Sequence, residues 1–157
     1  MSDSVSVDVQ MAYSAAGVPD ERDIQNWVGT AIELLCDKPF CEVSVRVVDE
    51  AEGRTLNNRY RGIDRATNVL AFPVDATVDL PPDVPGLLGD IVICGPVVER
   101  EAAEQHKTAA DHWAHLLVHG VLHLLGHDHQ EAGDAAEMEA LETRILAAGG
   151  VADPYAA

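Results

Sequence analysis

Seven histidines occur in the chain, and four of them fall in the run His119-Gly120-Val121-Leu122-His123-Leu124-Leu125-Gly126-His127-Asp128-His129, where three have spacing that suits a metal ion. A helix turns about 100° per residue, so His119 and His123 project from one face, one turn apart. Two imidazoles so placed reach one ion at about 2.0–2.1 Å each. Gly126 can take the left-handed conformation that ends a helix, and the returning chain then brings a third imidazole to the same ion. His129 is preferred for that position, and His127 competes for it. Three histidines leave a fourth tetrahedral position open, as a catalytic zinc site requires. His115 lies one turn before His119, but it is about 12 Å along the axis from His123 and cannot share an ion with both. It reads as a supporting or core histidine. The apolar residues Val121, Leu122, Leu124 and Leu125 bury this helix around its imidazoles, and buried uncharged imidazoles need partners.

The spacing matches the long zinc-protease signature H-E-x-x-H-x-x-G-x-x-H, glycine included. Gly120 stands where that signature has its glutamate, the general base of peptide hydrolysis. The metal cradle is kept and the protease base is absent.

A second cluster has the opposite charge preference. Arg54, Arg59, Arg61 and Arg65 fall within twelve residues, against ten lysines and arginines in the whole chain. The formal net charge is −17, which argues against broad attraction to nucleic acid. The arginine group reads either as a solvated helix face or as a local anion site. Smaller signals are Asn57 and Asn68, which suit substrate hydrogen bonds or turns, and Asp90, which suits a turn or an arginine or histidine partner. Trp27 and Trp113 sit in apolar helical patterns and read as core. Met138 and Glu139 read as a helix face.

The elements that must position these residues follow from periodicity. Val5, Val7, Val9 and Met11 alternate as a strand, as do Val43, Val45 and Val47. Pro19-Asp20 starts a helix with Ile24, Trp27, Val28, Ala31, Leu34 and Leu35 at helical spacing. Residues 50–61 look helical, with Gly53 an objection. A short strand covers 67–72, a loop 74–87, and a strand 88–94. Helices are expected over 96–105, 108–125 and 133–148. The fold class is α+β: one domain over residues 1–157, a mixed sheet of about four strands packed with about five helices, and a metal site at the end of a buried helix. No apolar run approaches a membrane span, the first residues lack the features of a secretory signal, and Cys36, Cys41 and Cys94 read as free thiols. A cytoplasmic location is expected.

The chain resembles the YbeY endoribonucleases, a family of ribosomal RNA maturation factors. The motifs are Leu56-Asn57, Tyr60-Arg61-Gly62, Asp64, Thr67-Asn68-Val69-Leu70, Phe72-Pro73, Leu88-Gly89-Asp90-Ile91-Val92-Ile93, His119 to His129, and Met138-Glu139 with Glu142. Ala66, Ala71 and His127 depart from residues usual in that family (proline, serine and tyrosine). The resemblance implies a zinc-dependent endoribonuclease specific for single strands, with one Zn2+ held by His119, His123 and His129, and Arg61 a functional residue. It implies processing of ribosomal RNA, notably the 3′ end of 16S rRNA, ribosome quality control, and the small ribosomal subunit or its assembly factors as partners. His115, Asp128 and Asn68 are expected around the metal or the substrate; the candidate general bases are zinc-hydroxide acting alone, Asp128, or His115 through water. Two other readings compete: a non-catalytic assembly factor that uses zinc for stability, and a hydrolase of peptides or another small substrate.

Overall fold

The computed structural model describes residues 5–35, 41–73, 86–126 and 132–154. His127, Asp128, His129 and Cys36 lie outside them. Nine elements follow in the order β1 (Val5–Met11), α1 (Glu21–Leu35), β2 (Cys41–Val48), α2 (Glu50–Arg61), β3 (Val69–Pro73), β4 (Gly86–Cys94), α3 (Gly95–Glu104), α4 (Ala109–Leu124) and α5 (Ala132–Ala148). The four strands form one sheet in the order β1-β2-β4-β3. β1 and β4 flank β2 in parallel, and β3 runs antiparallel to β4 at an edge. The expected mixed α+β sheet with five helices is therefore what the chain builds.

Alternation decides which helices cover which face. In β2, Cys41, Val43, Val45 and Val47 are buried while the residues between them are half-exposed. The valine face joins Ile91 and Ile93 of β4 and packs under α1 and α4 through Ile24, Val28, Trp113 and Leu117. Each such fully buried side chain contributes roughly 1.5–3 kcal/mol. On the other face Leu70, Val92 and Cys94 pack with Leu56 of α2.

Several boundaries and faces depart from the periodicity. Leu34 is 59% exposed, and Ile32 takes the buried place instead; the apolar stripe of α1 is rotated relative to the expected one. The third strand begins at Val69 rather than Thr67, and β4 begins at Gly86 rather than Leu88. Gly53 does not interrupt α2: a Cβ there would come within 3.2 Å of Cys94 Sγ, so the glycine lets the helix lie close on β4. Gly89 has φ +139° beside a register shift between β2 and β4. A Cβ there would lie 2.2 Å from the Phe72 carbonyl oxygen.

Candidate metal centre and cleft

α4 starts at Thr108, whose hydroxyl accepts the Asp111 N–H, and Gly126 follows its end with φ +95°. The helix is buried on nearly every side, and the positions left half-exposed among its central turns are His115, His119 and His123, each four residues from the next. The rings meet edge to face in a row, with centroids 6.2 Å apart for His115–His119 and 4.5 Å for His119–His123.

One carboxylate fixes this row. Glu142 of α5 is fully buried. Its Oε1 lies 2.8 Å from His119 Nδ1 and its Oε2 lies 2.5 Å from His115 Nε2. Burying a carboxylate is costly unless donors face both oxygens, and here two imidazoles do. A His119 Nδ1–H that donates to Glu142 leaves the lone pair on Nε2. That Nε2 lies 3.0 Å from His123 Nε2. Two imidazole nitrogens bound to one tetrahedral zinc lie about 3.3 Å apart, so the pair fits a zinc ion with little adjustment. The residues present thus suit the metal. Among the described residues, His115, His119 and Glu142 also form a group whose donor atoms lie within 4.8 Å of one another and could themselves hold a metal ion.

Arg61 shares a cleft of about 420 Å³ with His119 and His123; Thr67 and Asn68, with Val69, Leu70 and Ala71 of β3, form its wall. Arg61 is presented by the end of α2, where Gly62, with φ 71°, turns the chain and donates its N–H to the Asn58 carbonyl. Asn57 is buried beneath this turn and donates from Nδ2 to the Arg65 carbonyl at 2.8 Å, tying down the segment after Arg61. Asn68 lines the cleft, yet its amide is engaged: Nδ2 donates to Glu101 at 3.0 Å and Oδ1 accepts the Val69 N–H at 2.6 Å. It shapes the wall. Glu101 in turn meets the buried His112 at 3.0 Å.

The expected residues His119, His123 and Arg61 come together in this one cleft. His115 sits behind the pair on Glu142. His129, Asp128 and the competing His127 fall outside the described residues. The arginine group splits: Arg54 donates two hydrogen bonds to Asp64, at 2.7 and 2.9 Å. Those hydrogen bonds, and then the guanidinium charge, hold the Asp64 carboxyl below its ordinary range. Arg54 is thereby removed from the anion-binding set, while Arg59, Arg61 and Arg65 are exposed. Asp90 faces neither an arginine nor a histidine of the cleft; it points to the α2 side of the sheet. Glu142 entered the sequence reading only as part of a motif, and its place behind His115 and His119 comes from the fold. Its signal is its place on the buried face of α5 with Met138, Ile145 and Leu146.

The family model described as Endoribonuclease YbeY matches residues 9–150. The chain belongs to the YbeY endoribonuclease family. The curated YbeY of Alkalilimnicola ehrlichii is 52% identical over 158 residues, covering 99% of this chain and 95% of the relative. The YbeY of Pseudomonas putida is 53% identical, covering 97% and 94%. Both are named Endoribonuclease YbeY. Among solved structures, the solution structure of TM1509 from Thermotoga maritima superposes with a TM-score of 0.58 at 23% identity, covering 96% of this chain and 99% of that one, which supports the fold.

Proposed function

We propose that this YbeY chain works as one metallohydrolase domain over residues 1–157, a zinc-dependent endoribonuclease specific for single strands. Its place is the cytoplasm, its substrate ribosomal RNA at the 3′ end of 16S rRNA, and its partners the small ribosomal subunit or its assembly factors in ribosome quality control. The ribonuclease activity follows from what the YbeY relatives are named; the finer assignment rests on the resemblance of the motifs. The observation that carries the reading is the pair of Nε2 atoms of His119 and His123, 3.0 Å apart, in a cleft shared with Arg61.

One Zn2+ would be held by His119, His123 and His129. When bound it supplies Lewis acidity toward a phosphoryl oxygen and lowers the pKa of water. The chain's own groups do the rest. Glu142 keeps the proton on His119 Nδ1 and the lone pair on Nε2. Arg61 offers a planar fork to the non-bridging oxygens of a phosphodiester, where negative charge grows during in-line displacement. Gly120 provides no carboxylate, so a protease-type general base is absent at that position.

The test is cleavage of a labelled single-stranded RNA by wild type and Arg61→Ala, with the zinc content of both measured. Arg61 is exposed at the end of α2, so the variant should fold and keep its metal. A loss of at least about 100-fold in kcat/KM with metal retained supports the reading, in line with the removal of one charge-stabilising group. Equal cleavage by both proteins would discard it.

A further inference from the structure

β3 separates two hollows. Val69, Leu70 and Ala71 line the histidine cleft, while Phe72 lines the hollow on the opposite face. There a second hollow, of about 430 Å³, opens between α2 and the sheet, with Tyr60, Phe72, Ser44, Gln10 and Asp90 among its walls. The end of α2 serves both: Arg61 lines the histidine cleft, and Tyr60, one residue earlier, lines the other hollow.

Tyr60 is 58% exposed, one of two large hydrophobic side chains so exposed among the described residues. Its ring is nonetheless held in place. It meets the Phe72 ring edge-on, with centroids 5.1 Å apart and planes at 63°. The Arg59 guanidinium carbon lies 5.5 Å from its centroid. The floor continues as a row across three strands, because Phe72 pairs with Asp90 and Asp90 with Ser44. Arg46 is already engaged, at 2.6 and 3.0 Å to Glu52 and 2.9 Å to Gln10. With Asp90 and Glu52 in its walls, the hollow repels a phosphate. An aromatic wall with a polar floor suits a flat base that stacks and presents a polar edge. Arg59 and Arg61 are exposed at the end of α2, beside Tyr60, where the phosphates of such a strand would pass.

We propose that this hollow takes one unpaired nucleobase of the RNA strand whose phosphodiester lies at the His119–His123 cleft, stacked on Tyr60 and Phe72 across the β3 edge. The subsite rests on the ribonuclease reading and adds a physical basis for single-strand preference, since a base held in a duplex cannot enter the hollow.

The test uses the zinc-loaded protein and a single-stranded RNA carrying 5-iodocytosine at one position at a time. Photocrosslinks are mapped by mass spectrometry, and affinity is measured for wild type, Tyr60→Phe and Tyr60→Ala. The expected result is a crosslink to Tyr60 or Phe72 from a base close to the cut. Tyr60→Ala should bind about tenfold more weakly, the worth of one base–aromatic stack, and Tyr60→Phe should bind as wild type. Crosslinks confined to other residues overturn the subsite. So does unchanged RNA affinity in Tyr60→Ala, the outcome expected if this surface docks a protein instead. Cleavage read on the same RNA separates the two ideas: binding and crosslinking without cleavage sink the nuclease and keep the base subsite.

Discussion

Glu142 determines what His119 can do. Its two oxygens face two imidazoles, and its burial is complete. If the carboxylate orients His119 from behind, Glu142→Gln should keep one zinc per chain and weaken zinc binding by roughly 10–100-fold in a chelator competition. His115→Ala should then leave the zinc count unchanged. Loss of the metal in both variants, with zinc retained in His123→Ala, would instead put the ion on His115, His119 and Glu142. The spacing of the histidines made His119 and His123 legible, because i and i+4 on a helix is a local relation. The arginine at the end of α2 was legible through its motif. Glu142 appeared in a motif too, but its hold on the histidines was not legible, because that contact joins positions 23 residues apart along the chain and its own pattern looks like any amphipathic face.

At Gly120, α4 packs tightly against Ile91 of β4. A Cβ built there would stand 3.0 and 3.2 Å from the Cγ2 and Cδ1 of Ile91. The position that carries a general base in the zinc-protease signature is here pressed against the core, so the missing carboxylate has a packing cause. Gly120→Glu would force a charge and three further carbons into that contact. It should lower stability by about 4 kcal/mol or more, through overpacking and an unpaired buried charge, as read from urea unfolding. A variant with wild-type stability would show that α4 can lift from β4. The same closeness explains the elements that periodicity misjudged. Gly53 reads as a helix breaker in isolation, and only the distance to Cys94 shows its use. Leu34 fits the helical stripe of α1 as well as Ile32 does, and the sheet beneath chooses between them. Strand and helix identities were local properties; the strand order, with β4 between β2 and β3, is set by pairing across the chain.

Over the whole molecule, a charge of −17 and an RNA substrate are compatible only if the positive charge is local. Three arginines are spent on the protein itself: Arg46 on Glu52, Arg54 on Asp64 and Arg100 on Glu50. Around the end of α2 this leaves the exposed Arg59, Arg61 and Arg65 to meet phosphates, with Arg61 lining the cleft itself. Each phosphate contact with a single strand contributes about −0.7 to the slope of log K against log salt, so the slope should be no steeper than about −2. The acidic body repels the rest of the strand, which keeps binding of free RNA weak and confines it to these contacts. Titrating labelled RNA into the zinc-loaded protein across 50–300 mM salt, about the range in which such slopes are read, checks this. A slope of about −4 or steeper would require basic groups beyond the α2 end and would sink the local-cleft account. Arg54→Ala should leave the slope unchanged, because that guanidinium already belongs to Asp64, whereas Arg59→Ala should make it shallower by about 0.7.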